Sequence, residues 1–374
     1  MGAPPESYEI VPYADRYRQD VMRLRSGFRA ISDAWNERHF RWQQEECPWF
    51  EGHQAALALH EGRVVGMRVL QPAEWEVGTP AVRFKGPCYA GTVIEEGHRS
   101  KGLMSRLTRA VEEQAHRGGA RFAFNLNAGP VTHMSALAEG WRRLGPFGPV
   151  VRPAAIEGFD PGRRVLRGAR RALAAALPAP GAGVKISDRL RPDEMAELAA
   201  SGGNDGRLRH VKDARWFRWR YADPSSRYLF VYFERAGRLE GYVALHRDAP
   251  PLPGGPLNLV DWERSDRLEW SEMLGVVTRV ADRRVLPVTT WSAVLPPDAS
   301  ERLPALGFVP RPPPGPLARH RPTFLVGRID RSGGAGAVGS NRDPADDDGA
   351  WTVGGRRVDR ADEWDVRPIF ADPF

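Results

Sequence analysis

The 374-residue chain has very little cysteine, only Cys47 and Cys88. Two thiols cannot build a disulfide scaffold or a cysteine-rich zinc site, so no metal site is expected. Their scarcity fits reduced thiols in a cytoplasmic protein. Long apolar runs are also missing. None approaches the roughly 18 residues that a membrane span needs. The opening MGAPPESYEI has neither the basic nor the apolar region of a secretory signal. Lysine is scarce too: Lys85, Lys101, Lys185 and Lys212 are the four lysines among 54 basic residues, and the rest are arginine. The net charge of +7 is spread along the chain without a dense basic tract. A nucleic-acid partner is therefore not expected, whereas an anionic ligand held at one place stays open. What remains is ordinary for a globular protein, with 41% hydrophobic and 27% charged residues. The length suggests two domains.

The pattern along the chain is mixed α/β. Val21, Leu24, Phe28, Ile31 and Trp35 recur at helical spacing within a helical first 50 residues. Residues 53–70 read as two strands around a Glu61-Gly62 turn, and 82–94 as another strand. Leu103, Leu107, Ala110, Val111 and Ala115 predict a helix, and 121–126 alternate like a strand. Residues 135–143 form a short helix candidate. An α/β unit over 1–150 is expected. Residues 151–183 form a basic helical linker, with its helix near 163–177. Weak echoes then follow. Phe40-Arg41-Trp42 returns as Phe217-Arg218-Trp219, Gly62–Gly66 as Gly237–Gly241, and Gly140-Trp141 as Gly307-Phe308. Three landmarks in one order predict a duplicated unit over 184–330, with strands at 257–262 and 285–294 around a helix at 268–281. Residues 331–350 are low-complexity and expected to be flexible. Residues 351–374 are rich in tryptophan and phenylalanine and are expected to pack back on the body.

One segment points to chemistry: GTVIEEGHRSKGLM, from Gly91 to Met104. A strand ends near Ile94 and a helix starts near Gly102. A helix N-terminus presents backbone N–H groups and the positive end of the dipole, which suits an anion. Gly102 permits close backbone approach. Arg99 and Lys101 add charge, and Ser100 a hydroxyl. A diphosphate fits such a loop. It lacks the Gly-x-x-x-x-Gly-Lys-Ser/Thr of a P-loop and the three glycines of a dinucleotide fingerprint.

Ile94 followed by Arg99-x-x-Gly102-x-Met104 resembles the Arg/Gln-x-x-Gly-x-Gly/Ala signature of the GCN5-related N-acetyltransferases. FAFNLNAGP (122–130) resembles the family's next strand, and EGWRRLGPF (139–147) its Gly-aromatic close. The chain departs from the family at Met104, where a small residue is usual, and at Glu96, where the family has proline. The resemblance implies an α/β fold of two tandem GNAT-like domains, each a mixed twisted sheet flanked by helices. Residues 1–150 would bind acyl-CoA. Residues 184–330 would be a degenerate copy, since RSDRLEWSEML carries no glycine loop. Thr92, Val93 and Ile94 would hold the pantetheine and the thioester carbonyl. The amides of Arg99, Ser100, Lys101, Gly102, Leu103 and Met104 would cradle the diphosphate, and Asn127 would reach the pantetheine.

Acyl transfer to an amine needs a base, a stabilised oxyanion and an acid for the leaving thiolate. Glu95, Glu96 and His98 are the base candidates near the cofactor. The family's tyrosine acid is missing from THMSALAEGW, leaving His133 and Ser135 as substitutes. Tyr89 and Cys88 lie on the central strand. The expected activity is transfer of an acetyl or longer acyl group from acyl-CoA to a primary amine of a small molecule, amino sugar or peptide. An aminoacyl-tRNA-dependent peptidyltransferase and a non-catalytic acyl-CoA-binding module are the alternatives. The acceptor and the oligomeric state are not legible.

Overall fold

The computed structural model describes residues 7–29, 32–126, 128–154, 181, 183–202, 206–249, 255–311, 323–329 and 349–370, the side chains of Phe28, Arg29, Val131 and Phe370 excepted. The expected linker helix, and residues 331–348 of the expected flexible segment, lie outside them. No helix among the described residues is long and apolar enough to cross a membrane.

Strand β1 (Glu9–Pro12) leads into helices α1 (Arg18–Arg29) and α2 (Asp33–Phe40). The sequence pattern showed the helices but not the strand. Val21, Leu24 and Trp35 are buried as the spacing predicted. The hairpin β2 (Ala55–His60) and β3 (Arg63–Gln71) turns at Glu61-Gly62, both at positive φ. Short β4 (Glu74–Val77) and β5 (Val82–Lys85) pair with each other. The long strand expected over 82–94 is therefore two, because Pro87 separates β5 from β6 (Cys88–Ile94). Helix α3 (Leu103–Arg117) buries Leu103, Leu107, Val111 and Ala115 along one stripe. β7 (Phe122–Asn125), α4 (Pro130–Ala138), β8 (Arg142–Pro146) and β9 (Pro149–Arg152) follow.

The second half repeats this order. β10 (Val184–Ser187), helix α5 (Pro192–Ser201), β11 (Leu208–His210) and helix α6 (Ala214–Arg220) precede the hairpin β12 (Ser226–Arg235) and β13 (Arg238–Asp248). β14 (Leu257–Arg264), helix α7 (Trp270–Arg284), β15 (Val288–Trp291), β16 (Val309–Pro310) and β17 (Thr323–Arg328) complete it.

Among the described residues fourteen of these strands form two seven-stranded mixed sheets, ordered β1-β2-β3-β6-β7-β17-β8 and β10-β12-β13-β14-β15-β9-β16, while β4, β5 and β11 join the short strand 364–365 in a four-stranded sheet. The two large sheets correspond position by position, with one reciprocal exchange. β9, from the first half, pairs with β15 in the second sheet, while β17, from the end of the second half, lies between β7 and β8 in the first. The boundaries at 150, 184 and 330 therefore do not separate the sheets. The exchange rests on long-range pairing, which local pattern does not encode.

The echoes fall on equivalent structure. Gly62 and Gly237 both sit at φ 76, and Gly140 and Gly307 both at φ 82. A bulge leaves Ala90 unpaired in β6 and Val260 unpaired in β14. Trp42 and Trp219 stack at 5.3 Å, and each indole N–H donates to the other's backbone carbonyl, at 2.8 and 2.7 Å. The aromatic repeat is thus a core contact joining the halves. The C-terminal segment packs back as expected over its described part. Trp364 of the short strand 364–365, paired with β11, meets Trp75, Phe124 and Phe324, and Val366 and Ile369 are buried.

The first sheet is covered on both faces. Leu57, Met67 and Val69 meet Val21 and Leu24 of α1, while Ala56, Ala58 and Val65 meet Leu107 and Val111 of α3. This fixes β3, β6 and the start of α3 relative to one another.

Candidate active site

β6 and β7 are parallel neighbours, yet their only registered pair among the described residues is Cys88 with Phe124. Beyond it β6 runs on to Ile94, paired only with β3 on its other side. The two strands part into a slot, roofed by the start of α3 and by α4. A β-edge that cannot pair offers backbone N–H and C=O groups to a ligand.

The turn closing β6 is built from local bonds. Glu95 N–H donates to Val65 O, His98 N–H to Glu95 O, and Arg99 Nε to the Ile94 carbonyl at 3.1 Å. The chain then twists into α3. Ser100 sits at φ 62 and Gly102 at φ 72, the left-handed region that glycine adopts without strain. The first helical bond runs from Arg106 N–H to Gly102 O, so the amides of residues 103–105 precede the ladder. No side chain caps this end, and its first turn contains no acid. A Cβ added at Gly102 meets no atom within 4 Å, so the loop is open there. Arg99, Ser100, Lys101 and Gly102 are exposed, Leu103 is buried, and Met104 faces the slot. The cofactor residues expected between Thr92 and Met104 therefore lie around one mouth. Asn127 lies outside the described residues.

The slot narrows to a cavity of about 10 Å³, lined by Arg68, Tyr89, Met104, Asn125, Ser135 and Trp141 among others. Tyr89 OH donates to Glu112 at 2.7 Å. Burial, then the Glu112 charge, hold the Tyr89 hydroxyl well above the usual tyrosine range. Cys88 is buried, and burial pushes its thiol up to about 12. A thiol held protonated is a poor nucleophile.

The expected acid–base residues are not brought together. Glu95 accepts both Arg63 Nη1 and Nη2 at 2.8 Å, and Arg23 Nη1 at 2.8 Å. Burial alone would raise its carboxyl, but these two guanidiniums hold it below the ordinary value. A carboxylate so engaged is an anchor for α1 and a weak base. Glu96 stands exposed in the turn Glu96–His98. His98 Nδ1 bonds Tyr8 OH at 2.9 Å, and its ring lies 5.0 Å from that of His60. His133 is buried on the α4 face beside the slot, whereas Thr132, Ser135, Ala136 and Glu139 line it. Sequence reasoning missed Arg68, Trp141 and Glu139. Arg68 had a signal, being the one internal charge in the otherwise apolar VVGMRVL.

The acetyltransferase (GNAT) family profile matches residues 19–131, the span containing β6, the α3 turn and β7. That span belongs to the acetyltransferase (GNAT) family. The fold of the chain is the tandem form. A tandem GNAT protein from the clavulanic acid biosynthesis pathway superposes with a TM-score of 0.54 at 17% identity, covering 87% of this chain and 100% of that one. A GCN5-related N-acetyltransferase from Anabaena variabilis ATCC 29413 gives 0.57 at 11% identity, over 87% of this chain and 73% of its own. N-myristoyltransferase of Saccharomyces cerevisiae, solved with myristoyl-CoA, gives 0.52 at 14% identity, over 87% and 80%. No curated protein matches the sequence.

Proposed function

We propose that this GNAT protein transfers an acetyl or longer acyl group from acyl-CoA to a primary amine of a small molecule, amino sugar or peptide. The observation that carries the reading is the parted β6–β7 pair opening onto an uncapped, acid-free α3 N-terminus. The amides of residues 100–104 would hold the diphosphate, as oriented N–H groups at a helix start favour anions, while the Arg99 N–H already donates to Glu96 O. Backbone groups of Thr92, Val93 and Ile94 would hold the pantetheine, with an N–H of that open strand stabilising the thioester oxyanion. Glu96, His133 and Ser135 remain the base and acid candidates, with Glu139 added by its place in the slot.

The family likeness and the acyl-CoA carried by a structural relative support this donor. One observation favours a second reading, a module that holds acyl-CoA without turnover: α4 carries no tyrosine to protonate the thiolate. Calorimetric titration with acetyl-CoA tests both readings, since absence of binding overturns each. Free-thiol release against a panel of amines then separates enzyme from binder. The reading has the protein act in the cytoplasm.

A further inference from the structure

Arg68 is out of place in an apolar strand. It is 5% exposed, it projects from β3 into the slot opposite Thr92, and no carboxylate among the described residues pairs with it. Of the three other buried arginines, Arg220 meets Asp223 at 3.3 Å and Arg367 meets Asp365 at 2.8 Å, while Arg25 bonds His39 Nδ1 at 2.9 Å. Burying an uncompensated guanidinium is costly. Arg68 has only a hydroxyl, a thioether and a ring. Nη1 donates to Thr92 Oγ1 at 2.6 Å and lies 3.1 Å from Met104 Sδ. The guanidinium sits 4.0 Å from the Tyr89 ring centroid, and Nε is buried without a hydrogen-bond partner. The nearby acids are oriented elsewhere or lie apart: Glu112 accepts the Tyr89 hydroxyl, and Glu139 lines the same cavity without pairing with Arg68.

We infer that Arg68 is the counterion for a carboxylate at the far end of the donor's acyl group. The GNAT site would then take a short ω-carboxyacyl-CoA in preference to acetyl-CoA. This rests on the acyl-CoA reading above, which sets the thioester beside Thr92, the residue Arg68 already touches. Arginine suits the task because its planar fork meets a carboxylate with two parallel bonds. To reach one it gives up only the Thr92 and Met104 contacts and slides off the Tyr89 ring. The cavity of about 10 Å³ holds one water at most, so that movement also makes room for the acyl tail.

The test is titration of the full chain, wild type and Arg68→Met, with CoA, acetyl-CoA and succinyl-CoA. Wild type is expected to prefer succinyl-CoA over acetyl-CoA by about tenfold, the worth of one charge-assisted bond. Arg68→Met should remove that preference and leave acetyl-CoA within about threefold of wild type. Equal affinity of wild type for the two esters overturns the inference while leaving the acyl-CoA reading intact. Equal weakening of all three ligands in the variant, CoA included, also overturns it, because the arginine then serves the shared diphosphate. No binding by wild type to any ligand overturns the acyl-CoA reading itself. Should Arg68→Met fail to fold, the wild-type preference decides alone, and Arg68→Lys should retain part of it.

Discussion

Helices α3 and α7 occupy the same place in the two sheets, each 15 residues long and each following the bulged central strand. Their first turns differ. Helix α3 starts at left-handed Gly102, with no acid in its first turn and with Arg99 and Lys101 beside it. Helix α7 starts behind Glu269, places Glu272 in its first turn, and opens with Trp270, which is 3% exposed. Arg264 bonds the Leu268 carbonyl at 2.9 Å, closing the second loop from within. The neighbouring strand region differs as well, for Arg367 of the C-terminal segment lies 4.4 Å over the Trp262 ring of β14. Helix-end charges are worth about 0.3–1 kcal/mol each. On the acyl-CoA reading, a few of them, with one glycine and one tryptophan, would decide which copy suits a diphosphate. Topology alone would not.

The strongest way to break this contrast is to give α3 the bulk that α7 has. Gly102→Trp should weaken acyl-CoA binding by about a hundredfold, or ~2.7 kcal/mol. The fold should survive, because a Cβ there meets no atom within 4 Å and the left-handed backbone costs only about 1–2 kcal/mol. Calorimetry and a melting curve check the two halves of the claim. Unchanged affinity would show that the diphosphate lies elsewhere.

What the halves share can be broken separately. Trp42→Phe and Trp219→Phe each strip a buried carbonyl of its indole donor, so each should destabilise the protein by about 1–3 kcal/mol. The two losses should be similar if the contact is as symmetric as its geometry. A wide difference in denaturant midpoint between the variants would mean that only one bond matters.

Both tests touch features legible from residues. The hairpin glycines, the α3 stripe and the aromatic repeat are local patterns, and their spacing survives folding. The strand exchange was invisible because β9 and β17 look like any short strand. Only pairing across 130 or more residues, as Arg152 with Asp282 illustrates, assigns them to a sheet. The mouth of the slot was legible because a turn between strand and helix is contiguous. Its interior was not, since Arg68, Tyr89, Ser135 and Trp141 come from four separate elements. Glu95 shows the converse: proximity to the motif in sequence suggested chemistry, and the structure spends its charge on two arginines.

A milder change sharpens the electrostatic part of the contrast. Lys101→Glu gives α3 an acid beside its first turn, as in α7, and should weaken acyl-CoA binding by about fivefold, near 1 kcal/mol. The effect should shrink in high salt, because the site is exposed. The reverse change, Glu269→Lys, should create no acyl-CoA binding in the second copy, because Trp270 still closes that loop. Gain of a second binding site in titration would show that charge alone separates the copies.

The smallest effect concerns Glu95, whose anchor ties α1 to the turn before α3. Glu95→Gln removes the charge and keeps the shape. The ion pairs are partly exposed, so the loss at neutral pH should stay under about 1 kcal/mol. Its pH dependence follows from the lowered carboxyl. A group whose folded pKa is depressed contributes stability above its unfolded value, about 4.3 for glutamate, and loses it as pH falls through the folded value. Wild type and variant should therefore differ at pH 7 and converge in the acid range, where protonated Glu95 resembles glutamine. If Glu95 were the general base, Gln would instead abolish kcat at neutral pH with little change in KM. Retained turnover with a small, pH-dependent stability loss assigns it to the anchor. It also leaves the proton to a group that faces the slot.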